Sequence, residues 1–176
     1  MLNLKQWQKI SFLSYFLLAI ILFIYALGFA TNFAYAQTVG YEDFFNHAQK
    51  VNRVIYTFGL MAVALGGLNL MFESQKRKNY YISNLVLGLL SSLLFIVAAI
   101  MIVIGITPLM KEFIEAFGPE DSPARLAFVF NGGSYNLNTF IIGYVLSSVM
   151  VIISVPVAIV TIKKYQISAN KRKAGK

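Results

Sequence analysis

The chain has 176 residues, of which 58% are hydrophobic, 15% aromatic and only 12% charged, with a formal net charge of +8 and no cysteine. That balance leaves too little polar surface to clothe a water-soluble domain of this size, and the lack of cysteine excludes disulfides, thiolate metal sites, iron–sulfur ligation and thiol redox chemistry. The basic excess does not mark a nucleic-acid partner, because it lies on short segments beside apolar runs and not on a folded basic face.

No Asp, Glu, Lys or Arg occurs from Ile10 to Tyr41, from Val54 to Phe72, from Asn79 to Met110 or from Leu126 to Ile162. Each stretch holds the roughly 20 apolar residues that a helix rising about 1.5 Å per residue needs to cross a bilayer core. The expected fold is therefore an all-α membrane protein: a single domain, residues 1–176, built as a bundle of four transmembrane helices.

The first span is expected over 10–29, behind Trp7 flanked by Lys5 and Lys9, an interfacial anchor pattern. Ala34, Tyr35 and Ala36 form an A-x-A cleavage pattern, but the apolar run exceeds the roughly 7 to 15 residues of a signal peptide, so it is kept as a span. In the link over 30–53, Tyr41, Phe44, Phe45, Ala48, Val51 and Ile55 recur at helical spacing. They predict an amphipathic helix leading straight into the second span, 54–72.

Gly59, Ala62, Gly66 and Asn69 make a small or polar stripe on that span, the signature of a close helix crossing. The third span, 81–106, carries a similar seam of Asn84, Gly88, Ser91, Phe95, Ala98 and Gly105. The short turn between these spans, 73–80, makes them antiparallel neighbours, with Asn69 and Asn84 placed to hydrogen-bond across the hairpin at about 0.6 to 2 kcal/mol.

In the link over 107–138, Thr107 and Pro108 read as the start of a separate short helix and Gly118 and Pro119 as its stop, with Leu109, Phe113, Ile114 and Phe117 on its apolar face. For Ser122 to Asn138 two readings stand: a helix opened by Ser122 and Pro123, or a hairpin turning at Asn131, Gly132 and Gly133. The fourth span, 139–162, carries Gly143, Ser147, Ser148, Ser154 and an interior Pro156 expected to kink it. A basic tail, 163–176, follows.

Charge sets the expected topology. Both termini and the 73–80 turn hold 11 basic residues against one acid, whereas the two longer links hold four basic residues and six acids. The positive-inside bias then places both termini in the cytoplasm and both links outside. Lys76, Arg77, Lys78, Lys163 and Lys164 become candidate contacts to anionic lipid. The lack of an N-x-S/T acceptor fits a bacterial cell membrane.

Chemistry has few places to reside. The spans hold no ionisable Asp, Glu, Lys or Arg of the sort that marks proton-coupled carriers, and a single histidine cannot make a bis-histidine haem site. Asp43 and His47, four residues apart, could act as a metal or acid–base pair facing outward, or simply as a solvated surface pair. The span serines could line a polar pore or serve as packing contacts. No catalytic residue, metal site or cofactor is assigned.

The bare layout is similar to that of tetraspan proteins such as claudins and tetraspanins, which carry outer-loop cysteines that this chain lacks. Helix-packing positions are expected at Gly59, Ala62, Gly66, Asn69, Asn84, Gly88, Ser91, Gly143 and Ser147, and a partner interface at Tyr41, Phe44, Phe45, Phe113 and Phe117. The function expected from this pattern is that of a non-enzymatic accessory or structural subunit of a membrane assembly, partnered by the bilayer and by another membrane protein. The alternatives are a homo-oligomeric channel for a neutral or weakly polar solute, and a membrane enzyme using the outer carboxylates and His47.

Overall fold

Asn3 opens the first helix, its side chain accepting from the Gln6 backbone N–H at 2.9 Å while Gln6 Oε1 accepts from the Asn3 N–H at 2.8 Å. This reciprocal box satisfies two of the donors that a helix start leaves free. A computed structural model describes residues 3–74 and 80–174. The described elements are α1 (Leu4–Phe29), a 3-10 turn (Ala30–Phe33), α2 (Ala34–Thr38), α3 (Glu42–Ser74), α4 (Ile82–Phe117), α5 (Pro123–Phe130) and α6 (Asn138–Ala174). Four helices are long and apolar enough to cross a membrane, which fits a transmembrane helical bundle.

Glycines close two of the short helices. Gly40 adopts φ +86° and Gly132 φ +96°, conformations that cost a residue with a Cβ. After α2 the Tyr41 N–H reaches back to the Ala36 carbonyl at 2.9 Å, and after α5 the Gly133 N–H reaches the Phe128 carbonyl at 2.9 Å. Both are the six-to-one bond of a Schellman stop.

The segment before the second span runs unbroken into it, as one helix of 33 residues with Glu42 and Asp43 in its first turn. The third span departs from expectation: α4 continues through Pro108 to Phe117, so Thr107 and Pro108 do not begin a separate helix. Proline there costs the bond to the Ile104 carbonyl. The Thr107 hydroxyl instead donates to the Val103 carbonyl at 2.7 Å and meets Tyr144 Oη at 2.9 Å, which ties the proline turn to α6. Gly118 does end the helix, its N–H bonding the Ile114 carbonyl at 2.8 Å.

Of the two readings for 122–138, the helix is the one observed. Ser122 caps α5 by accepting from the Arg125 N–H at 3.1 Å, with Pro123 at the first helical position. The last helix also outruns its expected span, carrying Lys163 and Lys164 within a helix that reaches Ala174, with Pro156 inside it.

The long helices alternate in direction. α1 packs on α3 and α6, and α4 packs on α3 and α6, giving a four-cornered antiparallel bundle. Both described chain ends lie at one end with Tyr80, whose N–H donates to Ser168 Oγ at 2.7 Å; this is the terminal end. The turn after α1, together with α2 and α5, closes the opposite, cap end.

The two ends of the interior differ in chemistry. At the cap end Phe29, Phe33, Phe44, Phe113, Phe117, Phe128 and Phe140 are all buried. Phe33 sits 5.5 Å from Phe113, Phe117 sits 4.7 Å from Phe128, and Tyr135 stacks on Phe113 at 5.3 Å. Toward the terminal end small and polar residues take over, with Gln8, Ser11, Asn69, Asn84, Ser91, Ser92, Ser154, Thr161 and Ser168 buried around a Tyr15–Phe95 stack at 4.0 Å.

Candidate functional site

Helix crossings account for most of the residues singled out by pattern. A Cβ at Gly59 would lie 3.1 Å from the Phe23 Cα, and one at Gly66 2.9 Å from the Phe16 ring and 3.3 Å from its Cα. The stripe on α3 thus brings the α1 backbone close. Ala62, on the same stripe, is fully buried. On the other side of the bundle, a methyl at Gly88 would overlap the Thr161 side chain, and one at Gly143 would meet Tyr25 Oη at 2.6 Å and Ile106 Cδ1 at 2.9 Å. Tyr25 uses that space to donate to the Thr139 carbonyl at 2.8 Å.

The expected Asn69–Asn84 bridge is not formed. Asn69 Nδ2 donates to Ser91 Oγ at 2.7 Å and to the Leu65 carbonyl at 2.9 Å, whereas Asn84 Oδ1 accepts from the Tyr81 N–H at 3.3 Å at the start of α4. Asn84 lies too close to its own helix start, where free backbone donors compete for its oxygen. The span serines are spent on carbonyls: Ser147 on Gly143 at 2.8 Å, Ser148 on Tyr144 at 2.9 Å, and Ser92 on Ser154 across the α4–α6 contact at 2.8 Å.

His47 pairs with a different carboxylate from the one its spacing suggested. Its Nδ1 lies 2.9 Å from both oxygens of Glu112 on α4, while Asp43 is exposed. The histidine and glutamate side chains keep 33% and 44% of their accessibility, so the pair contributes less than about 1 kcal/mol. Among the described residues no group of three or more His, Asp or Glu could hold a metal ion.

The interface expected at Tyr41, Phe44, Phe45, Phe113 and Phe117 is largely consumed within the chain. Phe44, Phe113 and Phe117 are buried at 6%, 1% and 0%, and Tyr41 and Phe45 pack partly buried against them. Helical periodicity revealed an apolar face here but not what covers it; α5 and the 3-10 turn do so.

The apolar surface that does stand free at the cap end lies on α5. Leu126 and Val129 are 60% and 49% exposed and Phe130 is 91% exposed, while Phe128 is buried and Ala124 packs partly buried beside it. The i, i+3, i+4 spacing of this ridge was the signal that could have revealed it. Acidic Glu120 and Asp121 precede it, both exposed. Arg125 donates to the Gly118 carbonyl at 2.9 Å, lies 4.6 Å above the Tyr135 ring and pairs with Glu120 at 3.8 Å.

Beside the ridge is a recess of about 330 Å³ between the turn after α1 and the start of α6, lined by Asn32, Tyr35, Ser134, Asn136 and Thr139 among others. Its walls come from segments about a hundred positions apart, so no local motif announced it.

At the terminal end Lys163 is exposed, whereas Lys164 Nζ lies 5.9 Å from the Tyr80 ring centre. Lys76, Arg77 and Lys78 lie outside the described residues. No family model, curated protein or solved structure matches the chain.

Proposed function

We propose that this chain is a non-enzymatic, multi-pass protein of a bacterial-type cell membrane, with both termini cytoplasmic, that serves as an accessory or structural subunit of a larger membrane assembly. The observation that carries this reading is the α5 ridge. Phe130 at 91% exposure, with Leu126 and Val129 beside it, leaves a large aromatic uncovered on a helix anchored through Phe128. An apolar patch held on a rigid support is how a protein surface is prepared for a partner.

The partner favoured is the outer surface of another membrane protein and not the lipid surface. Glu120 and Asp121 precede the ridge, and Arg125 is engaged with the Gly118 carbonyl, the Tyr135 ring and Glu120, which leaves Asp121 as the uncompensated charge of that group. That charge pattern is repelled by anionic headgroups. The basic excess at the opposite end supports the cytoplasmic orientation.

A photo-crosslinking residue in place of Phe130, used in intact cells, tests the reading. One discrete adduct with a different membrane protein is expected, lost when Leu126 and Val129 are replaced by serine while the melting temperature is unchanged. Adducts formed solely with lipid, or solely with a second copy of the chain in a ring with an axial water path, would overturn it in favour of an interfacial helix or a homo-oligomeric channel.

A further inference from the structure

The recess between the turn after α1 and the start of α6 encloses about 330 Å³, within the range of small-ligand sites. That is the volume of roughly eleven liquid waters, room for one hexose ring with space to spare. None of its lining residues carries a formal charge, and an ion drawn into such a site would lose hydration without gaining a counter-charge. Its polar groups are amides and hydroxyls, several already oriented by one another. Asn32 Nδ2 donates to Thr139 Oγ1 at 2.8 Å, which leaves Asn32 Oδ1 to accept and the Thr139 hydroxyl to donate. Asn136 Nδ2 lies 3.1 Å from Ser134 Oγ, and Asn136 Oδ1 accepts from the Asn138 N–H at 3.2 Å, leaving the Ser134 hydroxyl proton free to turn toward a ligand.

Gly132 brings bare backbone to within contact of the Tyr35 ring, with a Cβ there falling 3.2 Å from Tyr35 Cζ. The ring itself is 43% exposed and offers an apolar face beside the amides. Mixed hydrogen-bonding groups of both kinds, an aromatic face and no charge are the complement of an uncharged, hydroxyl-bearing ring.

The side of the recess decides the source of that ring. Ile142 both lines it and stands 48% exposed, and Ile141 and Val145 continue an exposed apolar flank down α6. A polar group seated against Asn32 and Asn136 therefore has exposed apolar side chains directly beside it. We propose that this recess binds an uncharged polyhydroxylated ring, and that the ring is the headgroup of a neutral glycolipid whose acyl chains run down the α6 flank. The proposal goes beyond the accessory-subunit reading and does not depend on it.

The full chain in phosphatidylcholine nanodiscs, ejected and weighed with its retained lipids by native mass spectrometry, provides the test. Retention of monoglucosyl-diacylglycerol is expected to exceed that of diacylglycerol and of phosphatidylglycerol with the same acyl chains by about tenfold or more. The double variant Ser134→Ala with Asn136→Ala should lose about tenfold, as deletion of two neutral hydrogen-bonding groups implies. Tyr35→Ala, at an exposed ring, supplies an independent loss should the loop variant melt early. Methyl glucoside, followed by saturation-transfer NMR, separates the sources. Weak, variant-sensitive binding of the free sugar supports the glycolipid, and binding as tight as the glucolipid's reassigns the same site to a soluble saccharide. Equal retention of all three lipids, or glucolipid retention untouched by both variants, overturns the proposal.

Discussion

Replacing Gly66 by leucine should destabilise the bundle, and Gly67→Leu on the same turn of α3 should not. The two substitutions gain the same intrinsic helix propensity, just under about 1 kcal/mol, so their difference isolates the crossing with α1. At Gly66 a first side-chain carbon already lies 2.9 Å from Phe16 Cδ2, 3.3 Å from Phe16 Cα and 3.3 Å from Tyr15 Cδ1. The ring can turn aside, but the α1 backbone cannot. At Gly67 the nearest neighbouring atom is 4.0 Å away, ordinary contact distance. Three further carbons at Gly66 must push α1 outward, forfeiting dispersion contacts at Phe16 and Phe23 that lipid does not replace with the same fit. Overpacking of this kind costs about 1–3 kcal/mol. For a chain of this length each kcal/mol moves the midpoint by about 2–4 °C, so the two variants should differ by several degrees. Thermal unfolding of purified protein in one mild detergent, followed by helix circular dichroism, measures this directly. Equal midpoints for Gly66→Leu and Gly67→Leu would refute the reasoning.

Phe113→Ala should cost about 3–5 kcal/mol, because its ring meets those of Phe33, Phe44, Phe117, Phe128, Tyr135 and Phe140. Glu112→Gln, one position away, should cost less than about 1 kcal/mol, and a reversed order in chemical denaturation would make the His47 pair the principal cap-end contact. Ser91→Ala should cost about 0.6–2 kcal/mol through the lost Asn69 bond, and a double-mutant cycle with Asn69→Leu that shows no coupling would remove that bond from the account. Single cysteines at Gln37 and Ser134 should react with an impermeant reagent on intact cells while one at Asn170 does not, all three positions being exposed, and the opposite pattern would invert the topology.

The spans were legible because charge is costly in hydrocarbon, so gaps in charge mark helices whatever their neighbours are. The Gly59 and Gly66 stripe was legible for a related reason: only small residues admit a second backbone. What escaped was decided by contacts distant in sequence. Thr107 and Pro108 carry a genuine start signal, yet α4 runs on because Tyr144 of α6 meets the Thr107 hydroxyl and Phe113 and Phe117 are gripped by the cap. The helix over 123–130 sets Phe128 against Phe113 and Phe117, contacts distant in sequence that no local signal announces. The recess was invisible since Asn32 and Thr139 become neighbours only once α1 and α6 are side by side.

The unbroken passage of α4 through Pro108 has a mechanical meaning. Its 36 residues make a rod of about 54 Å, well beyond a hydrocarbon core of about 30 Å. One end is embedded in the aromatic cap and the other stands where Tyr80 and Tyr81 meet Ser168 and Arg172 of α6. A load applied to the ridge on α5 passes through Phe128 to Phe113 and Phe117, and from there into a strut with no loop along its length to absorb it. The aromatic cap and the end where Tyr80 meets α6 are thus joined by a single helix, with Pro108 its one interruption of the backbone hydrogen bonding by proline.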